Sequence, residues 1–323
     1  MKYLCMLALY FSFECFLNTK HQANSLLFSS QMNYTQAYVD TGSIKAGPYR
    51  LRYRIEGVGP TTLVIGNSVY YPRIFSQDLR KHLRLVFLDH RGFAPPPSRL
   101  VDTSDFQLDT IIEDMERARK SLKLGRIAVI GHSGHAYMAL EYAKKYPQNV
   151  SHVIMIGIGP DMGKANQDAA EQYWRDSASA ERKAVLEENM RKMPDSLLAK
   201  FPPVEQYITD YVRGGPLCWY NPHFDSSPLW EGSNINTDFM SFVWGQVLPR
   251  LDITKGLDKF DRPVFLSIGR YDFFNQPPSF WDPMRAKFRN ITICVFEQSA
   301  HTPQYEQNTL FDKELLAWME KYH

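Results

Sequence analysis

The stretch at positions 129–140, VIGHSGHAYMAL, decides the fold. It starts in an apolar run, residues 127–130, that is typical of a buried strand, and a helical pattern follows it. Between the two, GHSGH at positions 131–135 nearly matches Gly-x-Ser-x-Gly, the tight strand-to-helix turn that presents a nucleophilic serine. His135 stands where that pattern ends in glycine. We predict that Ser133 is the nucleophile, and we expect the His135 side chain to point away from it.

Strand-like and helix-like segments alternate along most of the chain, which predicts a mostly parallel sheet flanked by helices. Several of the strand-like runs are apolar throughout, as expected of strands covered on both faces. The predicted strands are 34–40 and Tyr49–Glu56, expected to form an antiparallel pair, followed by 62–65, 85–88, 127–130, 153–158, 263–268 and Ile291–Phe296. The predicted helices are 105–124, 134–145, 283–288 and 305–322.

The alternation stops over residues 161–251, which read as helical and then as rich in Pro, Gly, Asn and Trp. We predict an inserted helical cap there, with the core formed by residues 32–160 and 252–323. Residues 1–31 form a tail whose apolar run is interrupted by Glu14 and is not followed by a small-residue cleavage site. A start at Met32 would make this tail an upstream artefact, so we favour a cytoplasmic protein. Secretion, with the tail as a signal peptide, is the alternative.

Composition limits the classes of partner. Net charge is +2 over 323 residues and no long basic run occurs, so we do not expect nucleic acid binding. The apolar run in the tail is shorter than the roughly 20 residues of a spanning helix, so no membrane span is expected. Cys218 and Cys294 are predicted to be free thiols, and no spacing indicates a metal or an organic cofactor. A small-molecule or short-peptide substrate remains, and the sequence specifies no oligomeric state.

Three residue types in one order predict the chemistry. A serine hydroxyl is a weak nucleophile that needs a base within hydrogen-bond reach and a third group to orient that base. Ser133, Asp272 and His301 occur in the order nucleophile, acid, base, each just after a predicted strand. Each alone also fits a turn or a capping residue, but three in this order form a catalytic triad. Asp161 also follows a strand and is the alternative acid.

The oxyanion formed during acyl transfer needs two backbone N–H donors near the nucleophile. The residue after Ser133, Gly134, supplies one of them in such turns. The loop after the strand at 62–65 reads Gly66-Asn67-Ser68 and is expected to supply the other. We predict the N–H of Asn67 for this role, with that of Ser68 as the alternative.

With the triad placed, three further stretches carry a family resemblance. They are LDHRG at 88–92, ALEYAKKYP at 139–147, and the segment from DIT at 252–254 to GRYD at 269–272. Over residues 34–323 the chain resembles the α/β-hydrolase superfamily, and within it the proline iminopeptidase branch. The resemblance implies the α/β-hydrolase fold and hydrolysis through the triad.

Two departures from that branch affect the expected substrate. Those peptidases carry His-Gly-Gly-Pro-Gly at the oxyanion loop, where this chain has IGNSV at 65–69, and a cap glutamate that binds the free amine of the substrate. The matching cap stretch is EGSNINTDF at 231–239, in which no glutamate is in register. Glu231 and Asp238 are the candidates to replace it, and both also fit solvated carboxylates. Trp230 and Phe239 are predicted to line an apolar substrate pocket.

These observations favour a serine hydrolase that cleaves an ester, lactone or amide bond of a small, partly apolar substrate through an acyl-enzyme on Ser133. Proline iminopeptidase activity is the alternative, and a carbon–carbon bond hydrolase would use the same triad. Haloalkane dehalogenases and epoxide hydrolases place Asp at the position of Ser133, so both are disfavoured. A non-catalytic ligand receptor on the same fold is the alternative from another class.

Overall fold

In the computed structural model, which describes residues 39–97 and 102–322, eight β-strands form one sheet. The strands are β1 Asp40–Ala46, β2 Tyr49–Glu56, β3 Thr61–Gly66, β4 Arg84–Asp89, β5 Ile127–His132, β6 Val150–Ile156, β7 Val264–Gly269 and β8 Ile291–Phe296. Their order in the sheet is β1-β2-β4-β3-β5-β6-β7-β8. β2 runs antiparallel to both β1 and β4, and all other neighbouring pairs are parallel.

The hydrophobic core lies on both faces of the central strands. Every residue of β5 and β7 is buried, and in β3 and β4 all but the first are. This explains why these strands read as continuous apolar runs instead of alternating patterns. β2, which lies between β1 and β4, alternates in its first residues, with buried Tyr49 and Leu51 on either side of exposed Arg50.

The first strand lies later in the chain than predicted. The sequence pattern predicted residues 34–40, whereas β1 is Asp40–Ala46, and residues up to 38 lie outside the described part of the chain. The reason is the turn between Ala46 and Tyr49, which are paired in the ladder. Gly47 adopts a positive φ of 60° in this two-residue connection, so the hairpin is short and fixes the register of β1 on β2.

Helices cover the sheet on both sides. The α-helices are α1 Tyr71–Ile74, α2 Leu108–Ser121, α3 His135–Lys145, α4 Lys164–Ser177, α5 Ala180–Lys192, α6 Asp195–Leu198, α7 Pro203–Arg213, α8 Gly215–Cys218, α9 Ser227–Trp230, α10 Thr237–Phe242, α11 Asp282–Arg285, α12 Pro303–Glu306 and α13 Asn308–Lys321. Short 3₁₀ helices span Leu79–Lys81, Arg91–Phe93, Thr103–Phe106, Pro147–Asn149, Leu248–Arg250 and Pro278–Trp281, and Val243–Val247 forms a π-helical turn.

Residues 161–251, which we call the cap segment, join β6 to β7. They contain α4 to α10 and no β-strand. The tail at residues 1–31, with its predicted signal-like run, lies outside the described residues. Cys218 and Cys294 are free, as predicted. Within residues 39–97 and 102–322, no helix combines the length and apolar character needed to cross a bilayer.

The turn between β5 and α3 is tightly packed. Ser133 adopts a φ of 57°, a left-handed conformation that is uncommon for a residue with a side chain. Its N–H donates to the carbonyl of Ile156 on β6 at 2.8 Å, and its carbonyl accepts from the N–H of Ala136 at 2.8 Å. A Cβ placed on Gly131 would lie 2.1 Å from the backbone oxygen of His135, so only glycine allows the helix to approach the strand this closely.

We expect Gly131→Ala to lower the free energy of unfolding by about 3 kcal/mol, because the added methyl meets backbone that cannot move aside. Urea denaturation followed by circular dichroism measures the change. Gly215→Ala is the matched control, since a Cβ there would lie 3.6 Å from its nearest neighbouring atom. Equal small changes in both variants would contradict the packing argument.

Candidate active site

Three strand ends bring Ser133, Asp272 and His301 to one edge of the sheet. β5, β7 and β8 are parallel, so their carboxyl ends lie on the same side. Ser133 directly follows β5, while Asp272 and His301 lie in the loops after β7 and β8. The topology of the sheet therefore places all three residues at the carboxyl ends of parallel strands.

Asp272 and His301 form a buried pair. The Asp272 Oδ2 lies 2.9 Å from the His301 Nδ1, and the two residues are 1% and 2% exposed. The opposite ring nitrogen, His301 Nε2, is buried and has no hydrogen-bond partner among the described residues. Asp161, the alternative acid, accepts instead from the N–H of Gly163 at 2.7 Å. The structure therefore pairs His301 with Asp272 and not with Asp161.

Asn275 is a further hydrogen-bond donor to the Asp272 carboxylate, and the sequence pattern did not predict it. Its Nδ2 donates to Asp272 Oδ2 at 2.7 Å and to the carbonyl of Gly157 at 3.1 Å. The N–H of Phe274 donates to the other oxygen, Oδ1, at 3.1 Å. These donors orient the carboxylate toward His301. An amide three residues after the acid is a weak sequence signal, because such residues are common in turns.

His132 links the nucleophile turn to the His301 loop. Its Nε2 lies 2.9 Å from the backbone carbonyl oxygen of His301, which can only accept, so the proton of His132 is on Nε2. Burial lowers the pKa of His132 well below its usual value and keeps the ring neutral. The residue before Ser133 therefore holds the backbone of the residue predicted to be its base.

In the loop after β3, the N–H groups of the two candidate oxyanion donors, Asn67 and Ser68, differ in their partners. The N–H of Ser68 donates to Asp89 Oδ1 at 2.6 Å, and Asp89 Oδ2 accepts from Arg52 Nε at 2.7 Å. Because this N–H is already committed to a buried carboxylate, the alternative donor Ser68 is not free to bind an oxyanion. Asn67 and Gly134 both line the cavity that contains Ser133.

A cavity of about 230 Å³ opens above Ser133. Its wall is mostly apolar and largely aromatic. The aromatic residues of the wall are Tyr70, Tyr71, Phe93, Tyr207, Tyr211, Trp230, Trp244 and Phe274. A mostly apolar wall that also carries several polar and charged side chains is typical of a site for a small organic ligand.

The predicted pocket residues divide into two groups. Trp230 lines the cavity, where its ring lies 4.5 Å from that of Tyr70. Glu231 and Asp238 are exposed and do not line it, so their prediction as pocket residues is corrected. Phe239 also lies outside the cavity wall, because its ring stacks on His90 at 4.9 Å. Turns in the cap segment decide which of these four residues line the cavity. Hydrophobic periodicity does not predict such turns.

His135 belongs to a buried chain of polar side chains beside Ser133. Its Nδ1 lies 2.7 Å from the Tyr71 hydroxyl and 3.0 Å from the His132 carbonyl oxygen, and its Nε2 lies 2.8 Å from His90 Nε2. Burial lowers its pKa to about 4. His135 lines the same cavity as Ser133, in contrast to the expectation that it points away.

The cap segment is hydrogen-bonded to both loops that carry the predicted acid, Asp272, and the predicted base, His301. The N–H of Phe273 donates to the carbonyl of Leu217, and the N–H of His301 donates to that of Cys218, each at 3.0 Å. Helix α8 of the cap segment therefore contacts the Asp272–His301 pair through the backbone.

Glu306 reinforces this connection. Its Oε1 accepts from the N–H of Tyr220 in the cap segment at 2.5 Å, and its Oε2 accepts from the N–H of Ala300, next to His301, at 2.7 Å. Burial raises the pKa of Glu306 to about 7, although these N–H groups favour the ionised form.

Among the described residues, no group of three or more His, Cys, Asp or Glu side chains is placed to hold a metal ion.

Comparison with known proteins identifies the family. Residues 64–193 match the family of the α/β hydrolase fold. The AB hydrolase superfamily protein YclE of Bacillus subtilis (strain 168) is 35% identical over 273 residues, covering 84% of this chain and 96% of that protein. This chain belongs to the α/β-hydrolase superfamily. The predicted superfamily and fold class are therefore confirmed, and the chain is a hydrolase of this superfamily.

Two more distant α/β hydrolases differ in the activity that they are named for. The proline iminopeptidase PfmaB of Pestalotiopsis fici (strain W106-1 / CGMCC3.15140) is 24% identical over 293 residues, covering 84% of this chain and 96% of that protein. A solved esterase from Exiguobacterium antarcticum superposes with a TM-score of 0.61 at 18% identity, covering 86% of this chain and 98% of that one.

The pKa of Glu306 leads to a prediction about stability and pH. A carboxyl whose folded pKa lies above its usual 4.5 binds more protons in the folded state than in the unfolded state. The free energy of unfolding should therefore fall, by up to about 3 kcal/mol, as pH rises through the window from 4.5 to about 7. Urea titrations at several pH values measure this slope.

Glu306→Gln should remove most of that slope, and Glu320→Gln, which changes an exposed residue of α13, should keep it. An unchanged slope in Glu306→Gln would assign the titration to another group.

Proposed function

We propose that the protein is a serine hydrolase that cleaves an ester, lactone or amide bond of a small, partly apolar substrate through an acyl-enzyme on Ser133. The observation that carries the proposal is the combination of the left-handed Ser133 turn with the 2.9 Å pairing of Asp272 and His301 at the same sheet edge. His301 Nε2, buried and without a partner in the described chain, is the atom that takes the serine proton.

The reaction proceeds in two halves. Ser133 Oγ attacks the acyl carbon as its proton passes to His301 Nε2, and Asp272 stabilises the imidazolium that forms. The oxyanion accepts hydrogen bonds from the N–H groups of Asn67 and Gly134. Collapse of the tetrahedral intermediate breaks the bond to the leaving group, which takes the proton from His301. Water then attacks the acyl-enzyme and loses a proton to His301. The bond between the acyl carbon and Ser133 Oγ breaks, Oγ takes that proton from His301, and the acid is released.

The shape and lining of the cavity support an apolar acyl group. Its aromatic wall suits an apolar substrate, with the cap segment acting as a lid-like domain over Ser133. Two carboxylates of the wall, Asp195 and Asp210, share one partner, Arg213, at 2.7 Å and 2.8 Å, which offsets part of their charge. An aromatic wall binds an ester or lactone without a charged anchor for an amine, which favours these substrates.

Proline iminopeptidase activity is the second candidate. It is favoured by the 24% identity to PfmaB over most of both chains and by Asp161, a carboxylate of the cavity wall with no ion-pair partner among the described residues. On this alternative, Asp161 would bind the free amine of the substrate, in place of the exposed Glu231 and Asp238.

A fluorophosphonate probe should label Ser133 covalently, and mass spectrometry of the digested protein locates the label. Ser133→Ala should lose labelling and about 10⁴-fold or more of kcat on a p-nitrophenyl ester, because the nucleophile is gone, and His301→Ala should show a similar loss. Ser177→Ala, at an exposed position at the end of α4, is the matched control and should behave as wild type. Full esterase activity in Ser133→Ala would refute the mechanism, and tight ligand binding without turnover would favour a receptor.

A comparison of a p-nitrophenyl ester with proline p-nitroanilide separates the two candidate activities. We expect the ester to be hydrolysed and the anilide not, with Glu231→Gln and Asp238→Asn close to wild type because both side chains are exposed outside the cavity. Anilide hydrolysis that is lost in Asp161→Asn and kept in Glu231→Gln would instead establish the aminopeptidase.

A further inference from the structure

We propose that the Tyr71 hydroxyl donates a hydrogen bond to the substrate's carbonyl oxygen as negative charge develops on it, and that two buried histidines, His90 and His135, set the direction of that donation. The inference rests on the proposed function. It adds a side-chain donor to the backbone donors Asn67 and Gly134, and it gives a role to His135, the residue that departs from the glycine of the elbow pattern.

Tyr71 lies between the two segments that supply the backbone donors. A Cβ built on Gly66 would lie 2.1 Å from Tyr71 Cε2, so the ring covers the residue immediately before Asn67. Its hydroxyl lies 3.4 Å from the carbonyl oxygen of His132, the residue immediately before Ser133. The residue also lines the cavity. The hydroxyl is therefore placed beside the position that the oxyanion will occupy.

The tautomer of His90 follows from a backbone contact. The N–H of Gly92 donates to His90 Nδ1 at 2.9 Å, so this nitrogen carries no proton. Burial lowers the pKa of His90 well below its usual value, which keeps the ring neutral. The single proton of His90 is therefore on Nε2.

The tautomer of His135 follows from that of His90. The two Nε2 atoms are 2.8 Å apart, and His90 supplies the proton between them. His135 Nε2 accepts, so the proton of the neutral His135 ring is on Nδ1. From there it points to the Tyr71 oxygen at 2.7 Å and to the His132 carbonyl oxygen at 3.0 Å.

The Tyr71 proton is then directed to the substrate. Because the Tyr71 oxygen accepts from His135, its own proton needs a different acceptor. The His132 carbonyl oxygen, at 3.4 Å, is beyond the usual O–H···O range of about 2.5–3.0 Å, and it already accepts from His135. Burial raises the pKa of Tyr71 well above its usual value, so the proton is retained. A hydroxyl that accepts one hydrogen bond also donates a stronger one.

Tyr71→Phe tests the donation, because it keeps the ring over Gly66 and removes only the hydroxyl. We expect kcat for p-nitrophenyl butyrate to fall about tenfold or more, with KM changed less than twofold, as for an interaction made only in the transition state. Tyr146→Phe is the matched control, since that hydroxyl bonds to Glu113 away from the cavity wall, and it should stay within twofold. An unchanged kcat in Tyr71→Phe, or a loss confined to KM, would overturn the donor role.

His90→Asn tests the histidine pair. The Asn side chain can still accept from the N–H two residues later, at Gly92, but it is too short to reach His135. We expect kcat to fall about threefold or more in the otherwise wild-type protein and to fall no further in the Tyr71→Phe background, because His90 acts through Tyr71. Losses that multiply in the double variant would show that His90 acts independently and would overturn the pairing.

Nitrogen NMR of the full chain labelled with ¹⁵N-histidine tests the tautomers without any substitution in the site. We expect an Nε2-protonated His90 and an Nδ1-protonated His135, and the reverse in either ring would overturn the inference. This readout needs no turnover.

A wild-type protein that neither hydrolyses esters nor reacts with the fluorophosphonate refutes the proposed function. Normal wild-type turnover with an unaffected Tyr71→Phe refutes only the inference.

Discussion

The close approach of α3 to β5 is the constraint on which the rest of the site depends. A helix that is separated from a strand end by only two residues requires a left-handed residue at the turn and glycine at the close contact between helix and strand. The chain meets these needs with Ser133 and Gly131. The same turn directs the Ser133 side chain into the cavity and places the N–H of Gly134 beside it. The hydrogen bond from Ser133 to Ile156 ties this strained backbone to the next strand.

Asp89, the last residue of β4, and the two residues after it connect this turn to neighbouring segments. Asp89 fixes the oxyanion loop through Ser68, and His90 contacts His135 at the start of α3. Arg91 forms buried ion pairs with two carboxylates of the following helical segment. Those carboxylates are Asp105 at 2.7 Å and Asp114 at 2.6 Å. A short run of polar residues in a buried position is thereby explained, because each side chain satisfies a partner on a different element.

The sequence was sufficient to predict that Ser133, Asp272 and His301 follow strands of one parallel sheet and that Asp272 pairs with His301, because strand order in a parallel sheet converts chain order into position. It was not sufficient for Asn275 or for the contact between His90 and His135, since these depend on how separate loops approach one another. The exposed positions of Glu231 and Asp238 follow from turns in the cap segment, where no periodic pattern exists to predict a face. The displaced first strand has a similar cause, a two-residue turn whose geometry fixes the register.

Helix α8 belongs to the cap segment by sequence and to the core by its bonds. Its carbonyl oxygens accept from the residue after Asp272 and from His301 itself, and Glu306 joins Tyr220 to Ala300. A cap grafted from a relative would have to leave residues 215–220 with the recipient, because removing them strips backbone supports from the loops of Asp272 and His301. An exchange of the cap segment that aims to change substrate specificity should therefore keep α8. Its boundaries lie inside residues 161–251 and not at the ends of that segment.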